Sequence, residues 1–318
     1  MWRLVVVNLL FASSVLAING KCRILALGGG TDKGAYQAGA IIGLIQNLPS
    51  GEAVWDVVTG NGVGAFNAII LGNYALGQES SAISVLNNTW NTFTPNQFYK
   101  QWPGGEITGI YWEKGLFDTS PMGPTINKKI PSTFQRWTAV GATDLVSGNY
   151  VLFNSSFLDS ETMAIGVKAS LATQGEFPWI PYSNLQLSTG CIKYTVDILD
   201  AVTACTNKGY TTDQMFVDVV MVAGKTIQQI DASKFKTPDV FHRYLEISAF
   251  QDTMRVEETV NHDYPDVTVR NLIFPSQTLN SSSLPYDYDA SELRAQIALG
   301  MSDAKSPNVT LSYYMAFQ

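Results

Sequence analysis

The sequence has few of the residues from which metal and disulfide sites are built, with three cysteines and two histidines among 318 residues. Only 15% of its residues are charged, and 27 acidic residues against 20 basic ones give a formal net charge of -7. An acidic chain repels the phosphates of nucleic acid, so we expect no nucleic acid partner. The sequence also lacks internal repeats, low-complexity tracts and blocks of like charge, which excludes fibrous, repeat and disordered architectures.

The three cysteines are too few for a disulfide-rich scaffold and lack the spacing of a zinc site. Cys191 and Cys205 are close enough in sequence to pair in an oxidising compartment, while Cys22 begins an apolar run and is expected to be a buried thiol. That pairing stays open on the sequence alone. His242 and His262 have no metal-binding spacing around them, so we expect surface or core histidines. No spacing implies a metal ion, nucleotide or redox cofactor.

A long apolar run begins the chain. Arg3 precedes roughly 14 almost wholly apolar residues, fewer than the ~20 of a membrane-spanning helix, so a signal anchor is the weaker alternative. Val15 and Ala17 are small residues at the minus-three and minus-one positions of a cleavage site, which predicts a signal peptide over 1–17 and a mature domain over 18–318. We therefore expect a protein that is secreted or lies in the lumen of the endomembrane system. Glycosylation acceptors are predicted at Asn87, Asn154, Asn280 and Asn308.

Two glycine-rich turns each join a short apolar run to a helical pattern. The run over 22–27 ends in Gly28-Gly29-Gly30 and precedes an Ala/Ile/Leu-rich stretch over 34–48. The run over 54–59 ends in Gly60-Asn61-Gly62-Val63-Gly64 and precedes a similar stretch over 65–76. Successive units of this kind predict parallel strands with right-handed helical crossovers.

The remaining pattern favours an α/β fold. Further strands are predicted at 136–143, 150–153, 215–222, 241–250 and 267–274, and further helices at 160–172 and 290–305. This alternation indicates one three-layer α/β/α domain with a largely parallel central sheet. Residues 94–135, rich in proline, glycine and aromatic side chains, are expected to form a lid-like insertion over one edge.

Two kinds of chemistry compete for the glycine turns, which lie at the carboxyl ends of the strands. A phosphate-binding loop needs a lysine and a hydroxyl after its last glycine, but Lys33 precedes Gly34 and Ala35 follows it; the spacing also fails the dinucleotide fingerprint. A glycine turn that opens a helix instead offers backbone N–H groups to an oxyanion. The second turn has the Gly-x-Ser-x-Gly outline of a nucleophile elbow, with Gly62 in place of serine.

These features resemble the patatin-like phospholipases, lipid acyl hydrolases that use a Ser/Asp dyad in an α/β/α fold. Residues 25–39 are similar to the family's oxyanion block and 58–68 to its elbow, and the likeness extends from Cys22 to Ala304. The resemblance implies acyl lipid or phospholipid as the ligand and a membrane surface as a contact. It also implies a dyad aspartate position at Asp218, a nucleophile position at Gly62, an oxyanion loop of Gly28, Gly29, Gly30 and Thr31, and elbow glycines Gly60 and Gly64.

The sequence departs from the family at the reactive positions. Gly62 has no oxygen to acylate, Thr31 replaces a glycine of the oxyanion block, and Val219 replaces the glycine after the aspartate. Loss of the nucleophile in another serine hydrolase costs on the order of 10⁶ in kcat. We therefore predict a catalytically impaired pseudoenzyme that binds acyl lipid. Two alternatives stay open: an active lipid acyl hydrolase that uses Asp218 and the Gly28–Gly30 loop, and a structural or storage protein that kept the fold.

Lysines and aromatic residues outside the turns are weaker candidates for lipid contacts. Lys33, Lys128 and Lys129 are candidate headgroup ligands, although solvated charge explains them better. Aromatic rings favour membrane interfaces, and core packing explains about half of those around the insertion. The set comprises Phe93, Phe98, Tyr99, Trp102, Tyr111 and Trp112.

Overall fold

A computed structural model describes residues 20–30, 32–227, 229–279 and 289–305. The predicted signal peptide, Thr31, Asn280 and Asn308 lie outside the described residues.

Eight strands form one sheet in the order β5-β6-β3-β2-β1-β7-β8, with β4 paired to β3. The five strands β1, β2, β3, β7 and β8 are parallel, whereas β4 and β6 are antiparallel to β3. The strands are β1 (Cys22–Leu27), β2 (Val57–Gly60), β3 (Trp137–Asp144), β4 (Tyr150–Asn154), β5 (Ile180–Tyr182), β6 (Leu185–Thr189), β7 (Met215–Val220) and β8 (Thr268–Ile273).

Helices connect most of the parallel strands, and α1 and α2 directly follow the two glycine turns. The helices of the described part are α1 (Gly34–Asn47), α2 (Val63–Gly72), α3 (Glu79–Asn91), α4 (Glu106–Tyr111), α5 (Met122–Asn127), α6 (Ser160–Ser170), α7 (Leu199–Asn207), α8 (Thr237–Asp263) and α9 (Ala290–Asp303).

Alternate residues of β1 belong to two separate apolar clusters, because successive side chains of a strand point to opposite faces of the sheet. Leu25 and Leu27 join a large cluster with α1, α2, α3, α6 and α9. Ile24 and Ala26 join a smaller cluster with α7 and Val260 of α8. Helices therefore cover both faces, which confirms the predicted three-layer α/β/α fold with a largely parallel sheet.

One predicted strand is wrong. Residues 241–250 lie within α8, which extends over 27 residues. Pro238 stands in the first turn of this helix, and neither glycine nor proline occurs again until Pro265. A stretch this long without a helix breaker favours a helix, with proline placed at its start and beyond its end. The isolated β-branched and aromatic residues of 241–250 had favoured the prediction of a strand.

The structure decides the open question of cysteine pairing, and the expectation that Cys22 is a free thiol is wrong. Cys22 and Cys205 form the disulfide, with their Cα atoms 6.0 Å apart, and Cys191 is free. Cys22 opens β1 and Cys205 lies on α7, which packs against the same face of the sheet. The two cysteines are 183 residues apart in sequence, so only the fold brings them together.

Apart from the half-buried Trp102, the aromatic residues around the predicted insertion divide into a buried and an exposed group. Phe93, Phe98 and Tyr99 are buried, and the Phe98 ring lies 5.2 Å from that of Phe66 in α2. Tyr111 and Trp112 are instead 73% and 72% exposed. Core packing therefore accounts for the first group and leaves the second unexplained.

Candidate functional site

The second glycine turn, called the elbow below, is a sharp strand-to-helix bend with Gly62 at its apex. It joins the end of β2 at Gly60 to the start of α2 at Val63, and Gly62 has φ +54° and ψ -129°. A residue with a side chain adopts such a conformation only at a cost of order 1–3 kcal/mol, which glycine avoids. The turn is tight, because a Cβ on Gly64 would lie 2.5 Å from the Leu27 carbonyl oxygen.

The first glycine turn offers fewer free donors than the sequence suggests. The Gly28 N–H donates to Val220 O at 2.9 Å and the Gly29 N–H to Thr195 O at 3.1 Å. The predicted role of these two glycines as oxyanion donors is thereby corrected. Within the described residues, the N–H of Gly30 has no acceptor, and its nitrogen lies 3.6 Å from the position of a Cβ on Gly62.

Val63 supplies a second free N–H at the start of α2, again judged on the described part of the chain. A helix N-terminus leaves such donors unpaired and carries a partial positive charge. Gly30 and Val63 are therefore the two backbone donors available to a carbonyl oxygen at the elbow.

The free thiol of Cys191 occupies the space in front of the apex. A Cβ on Gly62 would lie 3.2 Å from Cys191 Sγ, and a Cβ on Gly29 would lie 2.1 Å from the same sulfur. Cys191 belongs to the short turn Gly190–Ile192 that follows β6. Burial raises the pKa of its thiol to about 11, although a hydrogen bond with the Thr189 side chain acts in the opposite direction. The thiol is therefore protonated at neutral pH, and the sequence analysis gave no reason to place it here.

A buried hydrogen-bond network holds Asn61, the residue before the apex. Asn61 Nδ2 donates to Tyr194 O at 2.6 Å, and its Oδ1 accepts from Gly141 N at 3.1 Å. The Tyr150 hydroxyl lies 3.0 Å from Asn61 Oδ1 and 3.0 Å from Asp197 Oδ2. One hydroxyl proton cannot serve two acceptors, so the network is complete when Asp197 is protonated and donates to Tyr150. Burial, followed by the charge of Asp200, raises the pKa of Asp197 to about 7.

We expect Asp197 to make the protein less stable as the pH rises. Its pKa in the folded state lies above the value of about 4 in the unfolded chain, so the folded state binds the proton more tightly. The resulting stabilisation is complete below pH ~4 and is lost as the pH rises through about 7, by on the order of 4 kcal/mol. Asp197→Asn, whose amide can donate to Tyr150, is expected to remove this loss.

Urea unfolding of the parent and Asp197→Asn at pH 5 and pH 8 measures the difference. An equal pH dependence of the free energy of unfolding in the two proteins would contradict a buried proton on Asp197. Asp213→Asn, an exposed change outside the network, serves as the control.

The structure does not bring Asp218 to the elbow. Asp218 is level with Leu25 and Val58 in the sheet, and Val58 precedes Gly62 by four residues. Its carboxylate accepts hydrogen bonds from Trp55 Nε1 at 2.7 Å and Asn271 Nδ2 at 2.6 Å and forms an ion pair with Arg270. Both carboxylate oxygens of Asp218 are therefore bonded to neighbouring side chains. The structure does not place Asp218 as the partner of an elbow side chain, contrary to the prediction.

The lysines of the sequence analysis are not gathered at the elbow. Lys128 and Lys129 line a recess of about 330 Å³ with Asn73, the residue that caps the far end of α2. Lys129 Nζ donates to Thr89 Oγ1 at 2.8 Å. Lys33 is half-buried beside the start of α1.

The remaining features concern a histidine, metal ligands and membrane-spanning helices. His262 is exposed and pairs with Asp263. Among the described residues, no three His, Cys, Asp or Glu side chains lie together as metal ligands. Helices long and apolar enough to cross a membrane are likewise absent from that part of the chain.

Comparisons with known proteins identify the family. The profile described as patatin-like phospholipase matches residues 25–206, more than half of the chain, which include both glycine turns and Cys191 and end before Asp218. The crystal structure of VipD from Legionella pneumophila is similar at 12% identity with a TM-score of 0.41, covering 90% of this chain and 66% of VipD. A search of curated protein sequences found no match. The chain belongs to the patatin-like phospholipase family.

Proposed function

We propose that this protein recognises acyl lipid without hydrolysing it. The observation that carries the proposal is Gly62, which has the backbone of a nucleophile elbow and no side chain. The family supports a lipid ligand, and the free N–H groups of Gly30 and Val63 are suited to hold an ester carbonyl. With no oxygen at the apex, that carbonyl has nothing to attack it.

Neighbouring side chains are poor substitutes for the serine. The Thr59 hydroxyl donates to Asp197 O at 2.6 Å, and the Ser170 hydroxyl accepts from the Gly62 N–H at 3.0 Å. The Cys191 thiol is held in its protonated, weakly nucleophilic form because burial raises its pKa to about 11. A relocated nucleophile would also need a base, and Asp218 is fixed elsewhere by Arg270.

Labelling with an alkyl fluorophosphonate, followed by mass spectrometry of the intact protein, tests this proposal. We expect no covalent adduct on the parent protein, together with acyl lipid in an organic extract of the purified sample. An adduct on the parent would contradict the absence of a nucleophile. An empty extract, with no binding of added fluorescent phospholipid, would favour a structural or storage role instead.

We also propose that the protein is secreted or resides in the lumen of the endomembrane system. The predicted signal peptide over 1–17 is the main support. The Cys22–Cys205 disulfide adds to it, because such bonds persist in oxidising compartments and are rare in the cytosol. Western blotting of culture medium against cell lysate, with and without residues 1–17, tests this location.

An exposed apolar surface on α4 is a candidate contact with a lipid bilayer. Its members, Ile107, Ile110, Tyr111 and Trp112, are 60–73% exposed, although large apolar side chains normally avoid water. Trp and Tyr are favoured where a bilayer meets water. The segment after α4 is joined to the loop that follows α6, because Phe117 N–H donates to Glu176 O, and the last residue of α6, Ser170, bonds Gly62.

Tyr111→Ser combined with Trp112→Ser is expected to weaken binding to phosphatidylcholine vesicles by on the order of 10- to 100-fold, since two large apolar side chains no longer leave water. Vesicle flotation measures the effect. Phe157→Ser is the matched control, because Phe157 is 87% exposed and follows β4, whose last residue, Asn154, pairs with Ala139 near the start of β3. Equal losses in both variants would indicate a nonspecific effect of surface hydrophobicity.

A further inference from the structure

We infer that Thr189, not Asp218, stands where the family's dyad aspartate belongs, and that the Cys191 thiol fills the space that would separate it from the elbow side chain. The inference rests on the proposed function and extends it: both reactive side chains are replaced, and the gap between them is closed.

The first argument is position along the chain. The family match over residues 25–206 includes Thr189 and Gly190 and ends before Asp218. The segment that faces the elbow is Thr189–Gly190–Cys191, at the end of β6. It contains a glycine directly after Thr189, so it keeps the glycine of an Asp-Gly pair and has lost the carboxylate.

The second argument is the close packing of Gly190. A Cβ on this residue would lie 2.6 Å from Gly141 O and 2.8 Å from Asn61 Oδ1, so only glycine fits. Asn61 directly precedes the apex of the elbow. The backbone after Thr189 is therefore pressed against the elbow itself, which is where a dyad partner has to be held.

The third argument is a short chain of contacts between the two positions. Thr189 Oγ1 accepts a hydrogen bond from the Cys191 backbone N–H at 3.3 Å. The sulfur in turn lies 3.2 Å from the position of a Cβ on Gly62. Thr189 and Gly62 thus both lie next to Cys191, whereas the carboxylate of Asp218 is bonded to Trp55, Arg270 and Asn271.

Serine at 62, aspartate at 189 and glycine at 191 would together recreate a working pair. A carboxylate at 189 would take the proton of a serine hydroxyl at 62 as its oxygen attacks phosphorus. With a fluorophosphonate, the new O–P bond forms while the P–F bond breaks, and fluoride leaves. A threonine hydroxyl cannot accept that proton at neutral pH, so Gly62→Ser alone is expected to stay inert.

The test compares fluorophosphonate labelling of three variants. Gly62→Ser/Thr189→Asp/Cys191→Gly is expected to label at least ~100-fold faster than the matched Gly62→Ser/Thr189→Asn/Cys191→Gly, because general-base catalysis contributes 10²–10⁴ in rate. Gly62→Ser alone is expected to label no faster than the asparagine variant. Equal labelling by all three, or labelling by Gly62→Ser alone at the rate of the aspartate variant, would overturn the inference.

A thermal double-mutant cycle tests whether Cys191 fills the space beside residue 62, and it needs no catalytic activity. It therefore tests this part of the inference even if the aspartate variant does not fold. Gly62→Ala is expected to lower the melting temperature more in the parent than in the Cys191→Gly background, by about 2–4 °C, because only the parent has sulfur in the way. Equal losses would overturn the claim that Cys191 fills the space.

The outcomes separate this inference from the proposed function. Rapid labelling of the aspartate variant together with no lipid binding by the parent would retain Thr189 as the dyad position and reject lipid recognition. Lipid binding by the parent with an inert aspartate variant would do the reverse.

Discussion

Replacing both Cys22 and Cys205 with alanine is expected to lower the free energy of unfolding by about 5 kcal/mol, the loop-closure value for a link that joins residues so far apart in sequence. The bond connects the first strand to α7 across 183 residues, so the unfolded chain gains much freedom when it is lost. Guanidinium unfolding of the parent and the double variant measures the difference.

Cys191→Ala is the control, because Cys191 is free and its removal leaves the disulfide intact. We expect that variant to lose far less stability than the double variant. Reduction of the parent with dithiothreitol should reproduce the loss, and it should leave the double variant unchanged. A parent that is equally stable with and without reductant would contradict the Cys22–Cys205 link.

Arg270→Met is expected to destabilise the protein by roughly 3–5 kcal/mol, because it leaves a buried charge without its partner. Asp218 is completely buried and forms an ion pair with Arg270, which also reaches Glu52 Oε2 at 2.7 Å. Chemical denaturation at neutral pH measures the loss. Restoring neutrality with Asp218→Asn in the same chain should recover a large part of it.

Arg255→Met is the matched control, since its partner Asp252 is exposed and such pairs contribute about 0–1 kcal/mol. The Asp218→Asn variant also distinguishes structure from catalysis. We expect it to change stability and to leave the binding of phospholipid as in the parent. Loss of lipid binding without loss of stability would return Asp218 to the functional site.

Much of the fold was predictable because the strand and helix signals are local. The glycine turns, the apolar run of β1 and the Ala/Ile/Leu-rich α1 each carry their own pattern, and the structure has them within a few residues. The disulfide was not predictable, because pairing depends on the distance between α7 and β1 in space. The strand prediction for residues 241–250 was wrong because their composition favours a strand, whereas the surrounding stretch without glycine or proline favours a helix.

The elbow was predictable in outline, and its chemistry was only half predictable. Gly62 stood out because it interrupts a Gly-x-Ser-x-Gly spacing. Thr189 and Cys191 gave no such signal: an Asp-Gly motif that has lost its aspartate looks like any other Thr-Gly pair. The sequence analysis assigned the dyad aspartate to Asp218 because a carboxylate is present there. In the structure that carboxylate is the ion-pair partner of Arg270.

Cys191 packs against the apex of the elbow, so the residue types at 62 and 191 depend on each other. A thiol directly beside Gly29 and the apex of the elbow leaves no room for a side chain at 62 without movement. Glycine at 62 leaves room for cysteine at 191, and cysteine at 191 makes the return of a serine at 62 more difficult. Under the proposed function, the lack of a nucleophile therefore depends on two positions rather than one.

The release of fatty acid from phosphatidylcholine vesicles tests the central claim most directly. The purified protein is predicted to release no more fatty acid than a heat-denatured sample of the same preparation, while it still binds the vesicles. Steady release in proportion to protein concentration, blocked by a fluorophosphonate that labels the chain, would contradict the account.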